Sequence, residues 1–308
     1  FTLFGGPFAG LLRSAELMRG IGMLADATIE QAQESAHLFR QFEEVARPYK
    51  QLLDVFVIRH FGVKRADEFL RLYGADVMTA YPDSSRLPEP YKEVLRERRR
   101  LYEQYRFFHW HLEFPEVFLG QGATGDQGWA GGFTCVLGNP PWEKVKLSEK
   151  EFFAARAPEI ANLAGAKRKA AILRLEVEDP DLWRIYQSAL RQAEGESHFI
   201  RSSNRYPLCG RGDVNTYAVF AEAMRDAVSS TGRAGIIVPT GIATDDTTKY
   251  FFSDCVARRQ LSSLYDFENN GFFTEVAQGP LTRFSLLTLA GKRGITTESV
   301  FAFFMRST

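Results

Sequence analysis

The sequence has few of the features that mark several large protein classes. Its 308 residues include only three cysteines, Cys135, Cys209 and Cys255, and these form no CxxC pair. A disulfide framework or a cysteine-based zinc site is therefore not indicated, and we expect a reducing, cytoplasmic setting. No apolar run approaches the roughly 20 residues that a membrane-spanning helix needs. The first residues also lack the basic and apolar regions of a signal peptide.

Neither sign of charge dominates, since 38 basic residues balance 38 acidic ones. Any binding to a polyanion must therefore come from a local patch of the surface, because the molecule as a whole has no net field to attract one. The chain is 45% hydrophobic and 13% aromatic. It can bury a full core, which indicates one large domain or two smaller ones.

Residues 1–115 are expected to form a helical region or insertion. From about Leu11 to Phe108, apolar residues recur at spacings of three and four, which is typical of amphipathic helices. We expect these helices to be interrupted at four places. The interruptions are Pro48, Gly62, Gly74 and the turn at 81–85.

Residues 116–308 have a different pattern and are expected to form the catalytic region. Short apolar strands alternate with helices, which indicates an α/β fold with a parallel, doubly wound sheet and an antiparallel hairpin near the end. The strands are expected at 133–137, 234–238, 261–267 and 284–290, and the helices at 214–229 and about 246–259.

The strand at 133–137 is followed by Asn139, Pro140, Pro141 and Trp142, which we call the elbow. Ligands of open α/β sheets bind beyond the carboxyl ends of the strands, so the elbow lies where a site is expected. Two prolines stiffen it and remove two N–H donors. The Asn139 side-chain oxygen and the Pro140 carbonyl can then accept both hydrogens of one amino group, while Trp142 offers a flat face to a planar ring. Two such acceptors favour a pyramidal nitrogen and restore its nucleophilicity, so no strong general base is required.

The elbow resembles the catalytic motif of S-adenosylmethionine-dependent amino-methyltransferases. Four further stretches stand in the order found in adenine-specific (N6) DNA methyltransferases of Type IIG restriction-modification and phage-defence systems. They are FFHWHLEFPEVF (107–118), GRGDVNTYAVFAEA (210–223), GRAGIIVPTGIATD (232–245) and YDFENNGFFTEVAQGPLTRFSLLTLAG (265–291). The resemblance covers about residues 105–291. It implies a Rossmann-like methyltransferase sheet in the C-terminal half.

The resemblance also implies roles for individual residues. Asn139 and Pro140 would bind the N6 amine of an adenine flipped out of double-stranded DNA, and Trp142 would stack on the base. Phe273 is a candidate for an opposing face, with Phe272 and a role in the core as alternatives. Three residues near the start of the helix at 214–229 would border S-adenosyl-L-methionine, with capping and packing as the alternative, and Asp213 is expected to be the N-cap. They are Asp213, Tyr217 and Phe220.

One feature of the family is missing. No acidic, glycine-rich strand-to-helix turn of the kind that binds the cofactor occurs between Phe1 and Phe133. We therefore expect the cofactor-binding half to lie upstream, and expect a target-recognition domain or nuclease elsewhere in a longer chain. Lys144 and Lys146 follow the elbow closely, and contact with DNA phosphates is expected of them.

His109, His111 and Glu113 alternate as metal ligands on a strand do, but no second cluster completes a set, so no metal site is expected. Two other functions remain open from the sequence. The same chemistry would serve an enzyme that methylates an RNA base or a protein glutamine amide. Alternatively, the chain is a non-catalytic, methylase-like module of a defence complex.

Overall fold

The computed structural model describes residues 9–79, 84–119, 131–269, 271–273, 283–294 and 296–306. The chain is α/β, with a five-stranded mixed sheet and several groups of helices. The helices are α1 Ala9–Gly22, α2 Ile29–Ile58, α3 Ala66–Thr79, α4 Glu89–Tyr105, α5 Trp110–Glu113, α6 Pro115–Phe118, α7 Glu149–Ala154, α8 Pro158–Ala161, α9 Gly165–Glu178, α10 Pro180–Ser202, α11 Thr216–Ala227, α12 Gly241–Thr244 and α13 Lys249–Ala257. The strands are β1 Phe133–Gly138, β2 Val228–Pro239, β3 Leu261–Glu268, β4 Arg283–Ala290 and β5 Val300–Met305.

The strands are ordered β1-β2-β4-β3-β5. β1 runs parallel to β2, and β5 runs parallel to β3. β4 lies between β2 and β3 and is antiparallel to both. The expected parallel sheet with an antiparallel hairpin near its end is therefore observed, with β4 as its antiparallel strand. The antiparallel partner of β4 in this hairpin is β3, as expected.

The core of the sheet region lies between the sheet and the helices α11 and α13. Its fully buried members include Phe251, Ile236, Ile242 and Leu287. β2 alternates buried and less buried residues over its second half, as a strand with two differently covered faces should. These contacts hold the carboxyl ends of β1, β2 and β3 in place. The elbow directly follows the end of β1.

The N-terminal helices agree with the predicted pattern, but two of the expected interruptions are absent. α2 continues through Pro48, because buried residues on both sides of the proline hold the helix in place, among them Phe42 and Val55. Gly74 lies inside α3. Gly62 ends a helical turn as expected, with a left-handed φ of 73° that favours glycine. Residues 81–83 of the predicted turn lie outside the described residues.

A second group of helices, α7 to α10, was not predicted from the sequence. They form their own apolar cluster around Phe153, Ile172 and Tyr186. α10 also packs on the N-terminal helices, where the ring of Phe61 occupies the space beside Gly195. None of the described helices is long and apolar enough to cross a membrane.

Candidate active site

The elbow leaves the carboxyl end of β1 and turns across the edge of the sheet. Asn139 and Pro141 are exposed, Pro140 is buried, and Trp142 is half-buried against the core of the sheet region. No described residue forms a hydrogen bond with the Asn139 side chain. The amide of Asn139 is thus carried by a rigid, partly buried segment and remains open to an incoming group.

Trp142 contacts Phe273, which follows β3 at the same edge of the sheet. The ring centroids are 5.3 Å apart and the planes lie at 68°. Phe273 also meets Phe284 edge-on, with centroids 5.0 Å apart. A planar base between two parallel rings would need about 7 Å between them. The structure therefore brings the two predicted aromatic residues together, but in direct contact and without a gap.

The neighbouring Phe272 is more exposed, at 46%, and it contacts Phe267 and Phe284 rather than Trp142. Of the two phenylalanines considered, Phe273 is therefore the one beside the elbow. Its position depends on the buried Asn269, whose side chain donates to the Phe273 carbonyl at 2.8 Å and accepts from the Phe273 N–H at 2.8 Å. Gly271 supplies the left-handed φ of 87° in this turn.

The elbow is attached to the first residue of α11. The Thr216 hydroxyl donates to the Pro141 carbonyl at 2.6 Å, and the Glu143 N–H donates to that hydroxyl at 3.1 Å. The Thr216 N–H donates to the Glu143 carbonyl at 2.9 Å. Sequence reasoning missed Thr216 and Asn269. Their bonding partners depend on the fold, and an isolated threonine or asparagine gives no signal.

Lys144 and Lys146 project from the segment after the elbow, and both pair with Asp213. Lys144 Nζ lies 2.5 Å from Asp213 Oδ2, and Lys146 Nζ lies 3.5 Å from Asp213 Oδ1. The hydrogen bond from Lys144 is the main cause that lowers the pKa of the Asp213 carboxyl. All three side chains are about half exposed. Two ammonium groups and one carboxylate therefore lie together after the elbow, and the exposed Glu143 precedes Lys144 in the chain.

Asp213 is not the N-cap of α11, so that prediction was wrong. The cap is Asn215, whose side chain accepts from the Tyr217 N–H. Asp213 lies before the first helical turn, where its carboxylate meets the two lysines instead. Lys144 and Asn215 also pair as an isolated antiparallel bridge, which continues the attachment of the elbow to α11.

A buried carboxylate at the ends of β2 and β3 was also missed. Asp266 is fully buried and accepts from the Thr240 hydroxyl at 2.5 Å and from the Arg283 guanidinium. Thr240 directly follows β2, so this network ties the ends of β2, β3 and β4 together. An acidic residue inside an apolar strand is the signal that could have found it.

Comparisons with known proteins point to one family over part of the chain. Residues 61–172 match the Eco57I restriction-modification methylase family. This segment is just over a third of the chain, and it includes the whole elbow. Over these residues the chain is similar to restriction-modification methylases. No curated protein matches the sequence.

Two solved structures align with the chain at low similarity. The ATP-dependent Type ISP restriction-modification enzyme LlaBIII bound to DNA is 14% identical, with a TM-score of 0.28, and the alignment covers 58% of this chain. The chain spans 10% of the length of LlaBIII. A candidate class I S-adenosylmethionine-dependent methyltransferase from Listeria monocytogenes is 10% identical, with a TM-score of 0.29, over 96% of this chain and 93% of that one. At such TM-scores the alignments carry no argument.

The three residues predicted to border S-adenosylmethionine lie in three different surroundings. Asp213 pairs with the two lysines. Tyr217 is buried in the core of the sheet region, where burial, with the nearby Asp245 as a smaller cause, raises the pKa of its hydroxyl. Phe220 is 47% exposed on α11. These residues do not converge on one pocket in the structure, and their roles toward the cofactor stay predictions.

Phe220 lines a cleft of about 980 Å³ beside β1. The cleft lies between α11, the exposed face of β1 and the aromatic segment that precedes α5. Its apolar lining includes Phe107, Phe108, Trp110, Phe133, Leu137 and Met224. Leu137 is 78% exposed, which is unusual for an apolar residue in a sheet.

The His109, His111 and Glu113 set does not form a metal site. His109 immediately precedes the short helix α5 and pairs through Nε2 with Asp54 Oδ1 at 2.8 Å. Glu113 pairs with Lys50 at 2.8 Å, and the ring of His111 packs against Phe118. No group of three or more potential ligands occurs among the residues that the structure describes.

Proposed function

We propose that the chain is the amine-binding part of a DNA methyltransferase of a restriction-modification or phage-defence system, which methylates adenine at N6. The observation that carries the proposal is the elbow. An asparagine amide with no described partner stands on a proline-stiffened segment beyond the carboxyl end of a strand, next to an indole. The match of residues 61–172 to restriction-modification methylases supports it.

The elbow has the parts needed to activate an aromatic amine. The Asn139 oxygen and the Pro140 carbonyl would accept the two hydrogens of the exocyclic NH₂. Such bonds stabilise the pyramidal nitrogen of the transition state more than the planar nitrogen of the free base, and so they lower the barrier. The nitrogen would then direct its lone pair toward the methyl group of the donor, whose carbon–sulfur bond would break to leave a neutral thioether, and the proton lost on methylation would pass to water.

The two aromatic rings beside the elbow would hold the base. Because Trp142 and Phe273 are in contact, a flipped adenine would stack on the exposed face of Trp142 or displace Phe273 from it. Extruding a base from the duplex costs a few kcal/mol, which stacking and phosphate contacts offset. Lys144 and Lys146, which are about half exposed, would contact phosphates that enter this edge.

The resemblance in the sequence implies S-adenosylmethionine as the methyl donor. Asp213, Tyr217 and Phe220, which are predicted to border it, do not converge on one pocket, and this chain would bind and orient the amine. The remaining parts of such an enzyme, including target recognition, would come from other segments of the protein.

The test uses the full-length protein and labelled S-adenosylmethionine with duplex DNA that contains many sequences. We expect label on N6 of adenine in the digested DNA. Asn139→Ala should lower the rate by about 10²- to 10³-fold, because one of two transition-state acceptors is lost. Its thermal unfolding temperature should stay near that of the wild type, since Asn139 is exposed.

Asn162→Ala is a matched control, because Asn162 is an exposed asparagine at the end of α8, outside the elbow. It should leave the rate within about twofold of the wild type. Label on cytosine would contradict the adenine assignment. Label on RNA or protein alone would contradict the DNA assignment, and no transfer to any acceptor would indicate a non-catalytic module.

A further inference from the structure

We propose that Thr216 is a positioning residue for the elbow, whose hydroxyl sets the direction in which the Asn139 and Pro140 acceptors point. The inference rests on the proposed function. Thr216 lies 75 residues from Pro141 and 73 from Glu143 in the sequence, yet it is bonded to both.

Prolines make the elbow hard to hold by backbone bonds alone. Pro140 and Pro141 have no N–H, so this part of the elbow can be fixed only through its carbonyls and its side chains. The Pro141 carbonyl accepts the short bond from the Thr216 hydroxyl at 2.6 Å. The same hydroxyl accepts from the Glu143 N–H at 3.1 Å, so it holds the chain on both sides of Trp142.

The backbone around Thr216 provides a second attachment that does not depend on its side chain. The Thr216 N–H donates to the Glu143 carbonyl at 2.9 Å, and the Val145 N–H donates to the Val214 carbonyl at 3.0 Å. Removal of the hydroxyl should therefore leave the two segments side by side. Only the elbow itself, from Asn139 to Trp142, should gain freedom, because its attachment through the Pro141 carbonyl is lost.

This freedom should affect catalysis more than substrate binding. The acceptors act on the amine in the transition state, where a change of direction costs most, whereas stacking and phosphate contacts bind the DNA in the ground state. We expect Thr216→Val, which keeps the shape but loses the hydroxyl, to lower kcat for methyl transfer about tenfold. KM for DNA should stay within about threefold.

Thr216→Ser restores the hydroxyl and should bring kcat back to within about threefold of the wild type. Hydrogen exchange provides a readout that does not depend on activity, because the Glu143 N–H is bonded to the hydroxyl. In the full-length protein, exchange at Glu143 should become about tenfold faster in Thr216→Val and should stay close to the wild-type rate in Thr216→Ser.

Thr296→Val is the matched control. The Thr296 hydroxyl donates to the carbonyls of Arg259 and Leu261 at 3.1 and 3.0 Å, and its N–H donates to Arg259 at 3.0 Å. These hydrogen bonds resemble those of Thr216. They lie at the start of β3, at the end of the strands opposite to the elbow. This variant should lose stability to a similar extent and keep its kcat.

Three results would overturn the inference. Exchange at Glu143 that does not change in Thr216→Val would show that the hydroxyl does not hold the elbow. Faster exchange at Glu143 with a wild-type kcat would show that the hydrogen bonds of the Thr216 hydroxyl to the elbow have no effect on the reaction. A serine variant as slow as the valine variant would show that the hydroxyl is not the operative group. A wild-type protein that transfers no methyl group would instead contradict the proposed function, and the exchange data would still report on the elbow.

Discussion

Different interactions stabilise the sheet region and the group of N-terminal helices. The strands are joined by backbone hydrogen bonds along β1-β2-β4-β3-β5, and the apolar side chains of the core lie against this ladder. Each helix satisfies its own backbone, so neighbouring helices are joined only by side chains. The N-terminal helices add a buried ionic network to their apolar contacts, with Asp54 of α2 paired to Arg98 of α4 at 3.1 Å and to His109 at 2.8 Å.

The two regions should therefore respond to different perturbations. The geometry of the sheet edge depends on apolar volume, because the ladder is independent of side-chain identity. The placement of the helices, and of the aromatic segment that starts at Phe107, depends on charges that are buried and paired. Loss of one partner there leaves the other in a medium of low dielectric constant.

The largest effect on stability is expected in the core of the sheet region. Phe251→Ala removes a fully buried ring from α13 and should lower the free energy of unfolding by about 3–5 kcal/mol. Phe303→Ala, at a position of β5 that is 55% exposed, should cost below about 1 kcal/mol. Urea denaturation measures both. Equal losses would show that the apolar core does not dominate this region.

A smaller effect is expected for the ionic network of the helices. Asp54→Asn keeps the shape but removes the charge that pairs with Arg98, and it should cost about 2–3 kcal/mol. Asp67→Asn breaks an exposed pair with Arg59 and should cost about 0.5 kcal/mol or less. If both variants unfold at the same urea concentration, the buried network does not contribute as we infer.

The last effect expected is a dependence of the stability on pH. Burial, with Arg59 as the next cause for His60 and Arg205 for His111, lowers the pKa of each ring to about 4. The unfolded chain binds these protons near pH 6.5, so it holds more protons than the folded chain between pH 6.5 and about 4. The free energy of unfolding should therefore fall as the pH falls through this range, and this contribution should level off below about 4.

The pH dependence is measured by urea denaturation at several pH values. Carboxylates also titrate there, so the wild type is compared with a variant carrying His60→Gln and His111→Gln. The free energy of unfolding of the wild type minus that of the variant should fall as the pH falls from 6.5 to about 4. A constant difference would show that these rings titrate alike in the folded and unfolded chains.

Much of the sheet could be predicted from the sequence, because strands and helices have local signals. The predicted strand at 133–137 and the one at 261–267 are observed within one residue of their predicted ends. β2 starts six residues earlier than the predicted Ala234, at Val228, directly after α11, because pairing with β1 begins there across a bulge. The place of β4 inside the sheet could not be predicted, since it depends on packing.

The candidate site could be predicted only in part, for the same reason. The elbow is contiguous, so its chemistry is visible in the sequence. Thr216 and Asn269 act through partners that the fold brings to them, and Asp213 meets Lys144 across 69 residues. A carboxylate beside a helix start indicates a cap, and only the geometry shows that Asn215 takes that role. The assigned functions of the site residues stay predictions until they are tested.

The position of β1 has a consequence for the motions of the site. β1 is one of the two outer strands of the described sheet and pairs there with β2 alone. Detaching it breaks one ladder, whereas detaching β2 or β3 breaks two, so local opening costs less where the elbow begins than in the middle of the described sheet. The hydrogen bonds between the elbow and the start of α11 do not involve β1. They should therefore keep the elbow close to its position in the closed structure when β1 opens locally.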